Sequence, residues 1–255
     1  MFQKRVEDDI LILTIQNGKD NSLTAEFWKA LREIVAEVNQ NPSPKGIVLT
    51  GEGRFFSSGF NLPMFLGFKD AHEVGGFFST LEEPALLDLF MCQKPVIAAL
   101  NGHTVAGGLI LAMAADYRIA TPNPKVKYGM SEIKIGLPLA IAQAEIVRFG
   151  MADDRAYRDL VYFGQMMDVE KARARQLVDE VVEEAELLPR AKALVSQFID
   201  QPGRAFTPIK TLLRRPLAER IQKACAEYDW AKSVECFFAP DVRKALEFTL
   251  AAMSR

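Results

Sequence analysis

The sequence predicts an α/β fold on a mixed or parallel sheet, and three observations predict it. The buried-strand run Ile10-Leu11-Ile12-Leu13-Thr14-Ile15, a helical stretch after Thr24 and a second strand pattern from Gly46 to Thr50 follow one another in the order of a βαβ unit. A further strand pattern, Pro95 to Leu100, ends like its predecessor in a glycine-bearing segment. From Leu139 onward, helical spacing dominates.

Taken in order, Val6 and the Ile10 run predict a hairpin turning at Asp8-Asp9. Thr24 is placed to cap a helix along which Phe27, Leu31, Ile34, Val35 and Val38 recur at helical spacing. Asn41-Pro42-Ser43-Pro44 ends that helix before the strand at 46–50. The stretch from Phe65 to Leu89, rich in Phe68, Phe77, Phe78, Leu81, Leu86 and Leu87, is the least regular and reads as mobile helices over an apolar pocket. A helix from about Leu109 to Ala115 follows the third strand, with further strands at Tyr117 to Ala120, near Val126 to Tyr128 and at Leu177 to Val182. Pro202-Gly203 and Pro240-Asp241 punctuate the last helices.

The chemistry concentrates in two glycine-bearing segments and one carboxylate. Phe55-Phe56-Ser57-Ser58-Gly59-Phe60-Asn61-Leu62 and Asn101-Gly102-His103-Thr104-Val105-Ala106-Gly107-Gly108 each follow a strand, at the carboxyl end where open α/β sheets place ligands. Small residues at both places let two backbone N–H groups converge on one oxygen, and a helix starting at Gly107-Gly108 leaves its first amides unpaired. The carboxylate is Glu132, in the apolar setting of Met130, Ile133, Ile135, Leu137 and Leu139, which raises its pKa if that face is buried. An oxyanion site plus one base suits proton transfer beside a carbonyl. The plainer alternative makes both segments tight turns and Glu132 a solvated carboxylate. Asp116 and Glu145 stay open as a second acid.

The bulk composition narrows the field. With 255 residues and 49% hydrophobic content, the chain can bury one large core. A net charge of −2 argues against nucleic acid or a membrane surface as the main partner. Three cysteines, Cys92, Cys225 and Cys236, suit a reducing compartment, and no apolar run reaches transmembrane length uninterrupted. The start Met1-Phe2-Gln3-Lys4-Arg5 carries no signal-like run, and the end Ala251-Ala252-Met253-Ser254-Arg255 matches no peroxisomal address. The expectation is a cytoplasmic protein. His72 and His103 have no metal-like spacing, so no metal is expected, and His103 reads as a packing residue at the elbow. Gly107-Gly108 is no dinucleotide fingerprint, and no redox cofactor is expected.

These residues carry a resemblance. Asn21-Ser22-Leu23, the Phe-Ser-Ser-Gly-Phe-Asn-Leu segment, Pro95 to Gly102, Ala106-Gly107-Gly108, Asp116 to Ala120 and the Glu132 segment resemble, in order and spacing, the crotonase (enoyl-CoA hydratase/isomerase) superfamily over nearly the whole chain. The resemblance implies a crotonase (ClpP/crotonase-like) spiral of ββα units over residues 1–195 and a helical trimerisation region over 196–255, self-associating as a trimer or dimer of trimers. It implies an acyl-CoA thioester as substrate, coenzyme A entering as part of it. By family position Glu132 is catalytic, and the N–H groups of Ser58 and Gly107 form the oxyanion hole. Ser22, Leu23, Ser57, Gly59, Phe60, Asn61, Leu62, Gly108 and Ile110 line the substrate. Phe238 and Phe248 have two readings, contact with the CoA adenine or core packing.

The chain departs from the hydratase pattern at two places. Asn61 stands where relatives carry Asp, a change either residue accommodates as a helix cap. Ile110 stands where hydratases carry the first of two water-holding glutamates, and isoleucine can neither bind water nor pass a proton. The pattern resembles the Δ3,Δ2-enoyl-CoA isomerases, in which one carboxylate shuttles a proton through a dienolate. A hydratase or other crotonase-type reaction, and a non-catalytic acyl-CoA-binding protein, are the alternatives.

Overall fold

The computed structural model describes residues 1–253; Ser254 and Arg255, which end the segment Ala251-Ala252-Met253-Ser254-Arg255, lie outside the described residues. Strands β1 (Phe2–Glu7) and β2 (Ile10–Ile15) form the expected hairpin. Asp8 and Asp9 take φ of 52° and 61°, the left-handed pair that a two-residue turn requires. Helix α1 (Ala25–Gln40) starts where Thr24 accepts the Phe27 N–H at 3.3 Å and buries Phe27, Trp28, Leu31, Ile34, Val35 and Val38. There follow β3 (Ile47–Gly51), β4 (Phe55–Ser57), α2 (Leu62–Gly67), α3 (Ala71–Phe77), α4 (Glu83–Phe90), β5 (Val96–Leu100), β6 (His103–Val105) and α5 (Gly107–Met113). The chain continues through β7 (Tyr117–Ala120), β8 (Tyr128–Gly129), α6 (Ile141–Phe149), α7 (Asp154–Phe163), β9 (Met166–Met167), α8 (Val169–Ala174) and β10 (Glu180–Val181). It ends in α9 (Leu187–Ile199), α10 (Phe206–Glu227), α11 (Trp230–Ser233) and α12 (Pro240–Met253).

Two sheets organise these elements. The larger runs β1-β2-β3-β5-β7-β10, parallel from β2 onward, and the smaller runs β4-β6-β8-β9, with β9 antiparallel. Alternation along the central strands feeds both faces. Leu11, Leu13, Ile15, Leu49, Ala98 and Leu100 enter the main core beneath α1, while Ile10, Ile12, Val48, Ile97, Ala99 and Ile119 pack with α9. The boundary expected at residue 195 falls inside α9, whose Leu194 and Val195 belong to that second layer.

Sequence expectation and structure differ in two regions. Strands β4, β6 and β9 were not anticipated, because three- and two-residue strands offer no periodicity to read. The stretch Phe65 to Leu89 is helical as expected but more regular and more buried than its sequence suggests: the end of α2, then α3, a π-helical turn at Phe78–Glu82 and α4, with Phe65, Val74, Phe77, Phe78, Leu86 and Leu89 buried. Gly75-Gly76 and Pro84 interrupt its apolar spacing and conceal the pattern.

The C-terminal helices are held by charge as well as packing. Asp116 binds Lys210 at 2.8 Å and Arg214 at 3.0 Å, and all three side chains are buried. Arg214 also donates to the carbonyls of Phe90, Ala114 and Ala115 and lies over the Phe90 ring. Removing one partner of such a cluster strands a buried charge, which is why it can lock α10 onto the core. Further on, α12 returns across the molecule, burying Val242 and Leu246, and its Arg243 donates to the Leu66 carbonyl at 2.8 Å.

Candidate active site

The floor of the site is the outer face of the smaller sheet. Phe56, Thr104 and Tyr128 point from it into the core, whereas Phe55, His103, Val105 and Lys127 point to the other side. A cavity of about 320 Å³ lies there, walled by Leu62, Phe65, Ile135 and Leu137 and covered by Thr249 and Met253 of α12. Ser58, Phe60, Ala106 and Glu132 meet inside it.

Glu132 opens a short 3₁₀ turn, Glu132–Ile135, closed by Gly136 at φ +74°. A Cβ at Gly136 would stand 2.7 Å from Val242, so the turn is pressed against α12. The glutamate is 8% exposed, and neither carboxylate oxygen has a hydrogen-bond partner among the described residues. The amides of Ser131 and Glu132 lie near enough to temper the effect of burial without meeting hydrogen-bond geometry. Desolvation dominates and lifts the carboxyl to a pKa of about 7. A buried carboxylate with nothing bound to it is costly, and such a group in a cavity marks a place where chemistry is done.

The expected oxyanion pair needs a correction. The Ser58 N–H donates to the Asp20 carbonyl at 2.9 Å, and its hydroxyl donates to the Asp20 carboxylate, so Ser58 anchors a loop and offers no free amide. Two residues on, Leu23 N–H bonds Gly59 O at 2.8 Å and Asn61 N–H bonds Leu23 O at 3.1 Å. This parallel bridge between Leu23 and Phe60 turns the Phe60 N–H to the opposite side. No partner holds that amide or the Gly107 N–H among the described residues. They are neighbours: a Cβ at Gly59, itself at φ +99°, would lie 2.9 Å from the Gly107 nitrogen, and one at Gly107 would lie 3.1 Å from the Phe60 ring.

Ala106 aims the second amide. It sits at φ 50°, ψ −131°, a region that L-residues avoid, immediately before α5. Such strain costs of order 1–3 kcal/mol and concentrates at functional sites. Ala106→Gly is therefore expected to stabilise the chain by about 1 kcal/mol after the added backbone entropy of glycine is charged against it. An unchanged or lower urea midpoint would show that the turn carries no strain.

The other residues singled out from sequence divide into three groups. Phe60 and Leu62 line the cavity; Ser22 and Asn61 line a second, more polar one of about 310 Å³, which shares Phe60, Leu62 and Met253 with the first. Asn61 caps α2 through the Met64 N–H at 3.0 Å and donates to Ser22 Oγ at 3.0 Å. Leu23, Ser57, Gly59 and Gly108 shape the loop from behind and line neither cavity, and Ile110 is fully buried in the core. Asp116 and Glu145 lie elsewhere, the first in its ion-pair cluster and the second bonded to Arg220. Phe248 is 77% exposed, which removes it from core packing.

His103 was read as a packing residue, yet it lines the cavity. Its ring lies 5.0 Å from that of Phe55, and Nδ1 accepts the Lys127 N–H at 3.1 Å, which places the neutral ring's proton on Nε2. Burial, with Arg54 and Lys127 nearby, lowers its pKa and keeps it neutral. The signal was present in the sequence: His103 and Val105 share one face of a strand, two residues apart.

A layered α/β fold around an apolar cavity that holds one desolvated carboxylate, with the unpaired amides of Phe60 and Gly107 at its border, suits acid–base chemistry beside a carbonyl. The chain belongs to the enoyl-CoA hydratase/isomerase (crotonase) family, whose model matches residues 5–247. Among curated proteins it is 28% identical to a probable enoyl-CoA hydratase of Mycobacterium avium over 86% of this chain and 85% of that one. It is 26% identical to the mitochondrial enoyl-CoA delta isomerase 1 of Rattus norvegicus over 88% of this chain and 76% of that one. In fold it is similar to the human mitochondrial delta3-delta2-enoyl-CoA isomerase, with a TM-score of 0.89 at 23% identity over 99% of this chain and 98% of that chain. No helix among the described residues is long and apolar enough to cross a membrane.

Proposed function

We propose that this acyl-CoA enzyme is a Δ3,Δ2-enoyl-CoA isomerase. The thioester oxygen sits between the amides of Phe60 and Gly107. Glu132 removes a proton from C2 of a 3-enoyl thioester, and the electron pair spreads through the alkene and carbonyl as a dienolate held by the two amides. The same carboxyl then returns the proton to C4, leaving the double bond between C2 and C3. Each donor of this kind is worth about 3–4 kcal/mol to the barrier. The polar cavity beside Ser22 and Asn61 takes the coenzyme A portion, with no further cofactor.

One observation carries this reading: Glu132 is the only carboxylate lining the catalytic cavity among the described residues. Hydration needs a second group to manage the water, and Ile110 occupies the position where the hydratase pattern has it. Mixing the enzyme with 3-hexenoyl-CoA is expected to raise the absorbance of the conjugated thioester. Hydration of crotonyl-CoA is expected to be slower by about 10²–10⁴, the contribution of one general acid–base partner. Comparable rates for the two substrates would favour the hydratase reading and dismiss the single-base mechanism.

A further inference from the structure

One wall of the catalytic cavity is backed by a cluster of aromatic rings from three separate elements. Phe65 of α2 lines the cavity. Its centroid lies 5.3 Å from that of Phe237 and 6.1 Å from that of Phe78, and Phe78 lies 6.1 Å from Phe237. All three are at most 4% exposed. Phe78 and Phe237 do not line the cavity; they line a narrow cleft on the far side, with Pro138, Leu139, Tyr228 and Trp230. Leu137 belongs to the cavity and Pro138 to the cleft, so the partition runs along the chain as well as across the rings.

We infer that Phe65, Phe78 and Phe237 form a wall that sets the length of acyl chain this enzyme accepts, stopping the tail before it reaches the cleft beyond. The inference rests on the acyl-thioester reading of the cavity. Two of the three rings, Phe65 and Phe78, sit on segments that are held from behind. Arg243 of α12 donates to the carbonyl of Leu66, next to Phe65, at 2.8 Å. The segment bearing Phe78 is pinned through Glu83, whose carboxylate accepts the Ala142 N–H at 2.7 and 2.9 Å at the start of α6. Rings in such tilted and edge-on contact give up packing energy if they separate, so the wall is a fixed boundary and not a soft one.

The boundary predicts a break in affinity along a homologous series. Saturated acyl-CoAs from butanoyl to dodecanoyl undergo no isomerisation, so their binding, read by isothermal titration, reports the cavity and not the chemistry. Wild-type affinity is expected to improve about fourfold for each methylene laid on apolar wall, then to level off within the series. The test variants are Phe65→Ala and, separately, Phe237→Ala; Phe237 does not line the cavity, so its variant is the one expected to leave butanoyl-CoA affinity nearly unchanged. Each is expected to extend the rise, so that the variants bind the longest probes at least about tenfold tighter than wild type. A wild-type series that improves steadily through dodecanoyl-CoA overturns the wall without needing either variant to fold. So does a plateau that persists in a folded Phe65→Ala protein. Failure of butanoyl-CoA itself to bind would instead bring down the acyl-thioester reading, and the wall with it.

Discussion

Glu132→Gln is expected to remove isomerase activity by about 10⁴, the upper end of what one positioned acid–base group supplies, while making the protein more stable above neutral pH. Both effects come from the same burial. At a pKa of about 7 the carboxyl is matched to proton transfer near neutral pH, so wild-type kcat/KM should rise with pH up to about 7 and then level off as the base form fills. The stability sign is the reverse. The folded pKa lies above the unfolded value of 4.5, so the folded state holds its proton more tightly. Relative stability is full below about pH 4.5 and is lost as the pH rises through about 7. Glutamine carries no charge to desolvate and escapes that loss, though its amide stays unpartnered, leaving a gain of roughly 1–3 kcal/mol at pH 8. Urea unfolding of both proteins at pH 5 and pH 8 separates the cases. A difference independent of pH would show that Glu132 does not titrate in the folded protein, and full activity in the variant would remove it from the mechanism.

That one residue was legible because its evidence is local: a glutamate among Met130, Ile133, Ile135 and Leu137 announces a carboxyl in apolar surroundings. The hairpin at Asp8-Asp9, the Thr24 cap and the α1 face were readable for the same reason, since each is decided within a few residues. What failed to read is decided at a distance. Ser58 and Phe60 both sit in the right loop, and only the Asp20 carbonyl, 38 residues earlier in the chain, uses up one amide and leaves the other free. Lys210 and Arg214 look like the solvated face of a helix until Asp116 is found beneath them. The aromatic wall joins α2, the π-helical turn and a segment 172 residues after Phe65, a juxtaposition that no spacing along the chain encodes.

Gly108→Ala should be severely damaging for catalysis. A Cβ at Gly108 would stand 2.4 Å from the Ser57 carbonyl oxygen and 2.9 Å from its carbonyl carbon. Both are backbone atoms at the end of β4, so no side chain can swing aside to make room. Either α5 must retreat or the 57–60 loop must, and these two elements carry the Gly107 and Phe60 amides. A displacement of about 1 Å between paired catalytic groups costs on the order of 10² in rate, and loss of one oxyanion donor costs about 10²–10³. The expected result is a kcat lower by about 10²–10³ in a protein that still binds coenzyme A, because Gly108 does not line the polar cavity of Ser22 and Asn61. The pH at which kcat/KM levels off should stay near 7, since the Glu132 turn leans on α12 and on α7. A variant with wild-type kcat would mean that the thioester oxygen is not held between these two loops. One that loses rate and shifts its pH profile together would mean that the methyl group had disturbed the base instead of the amides.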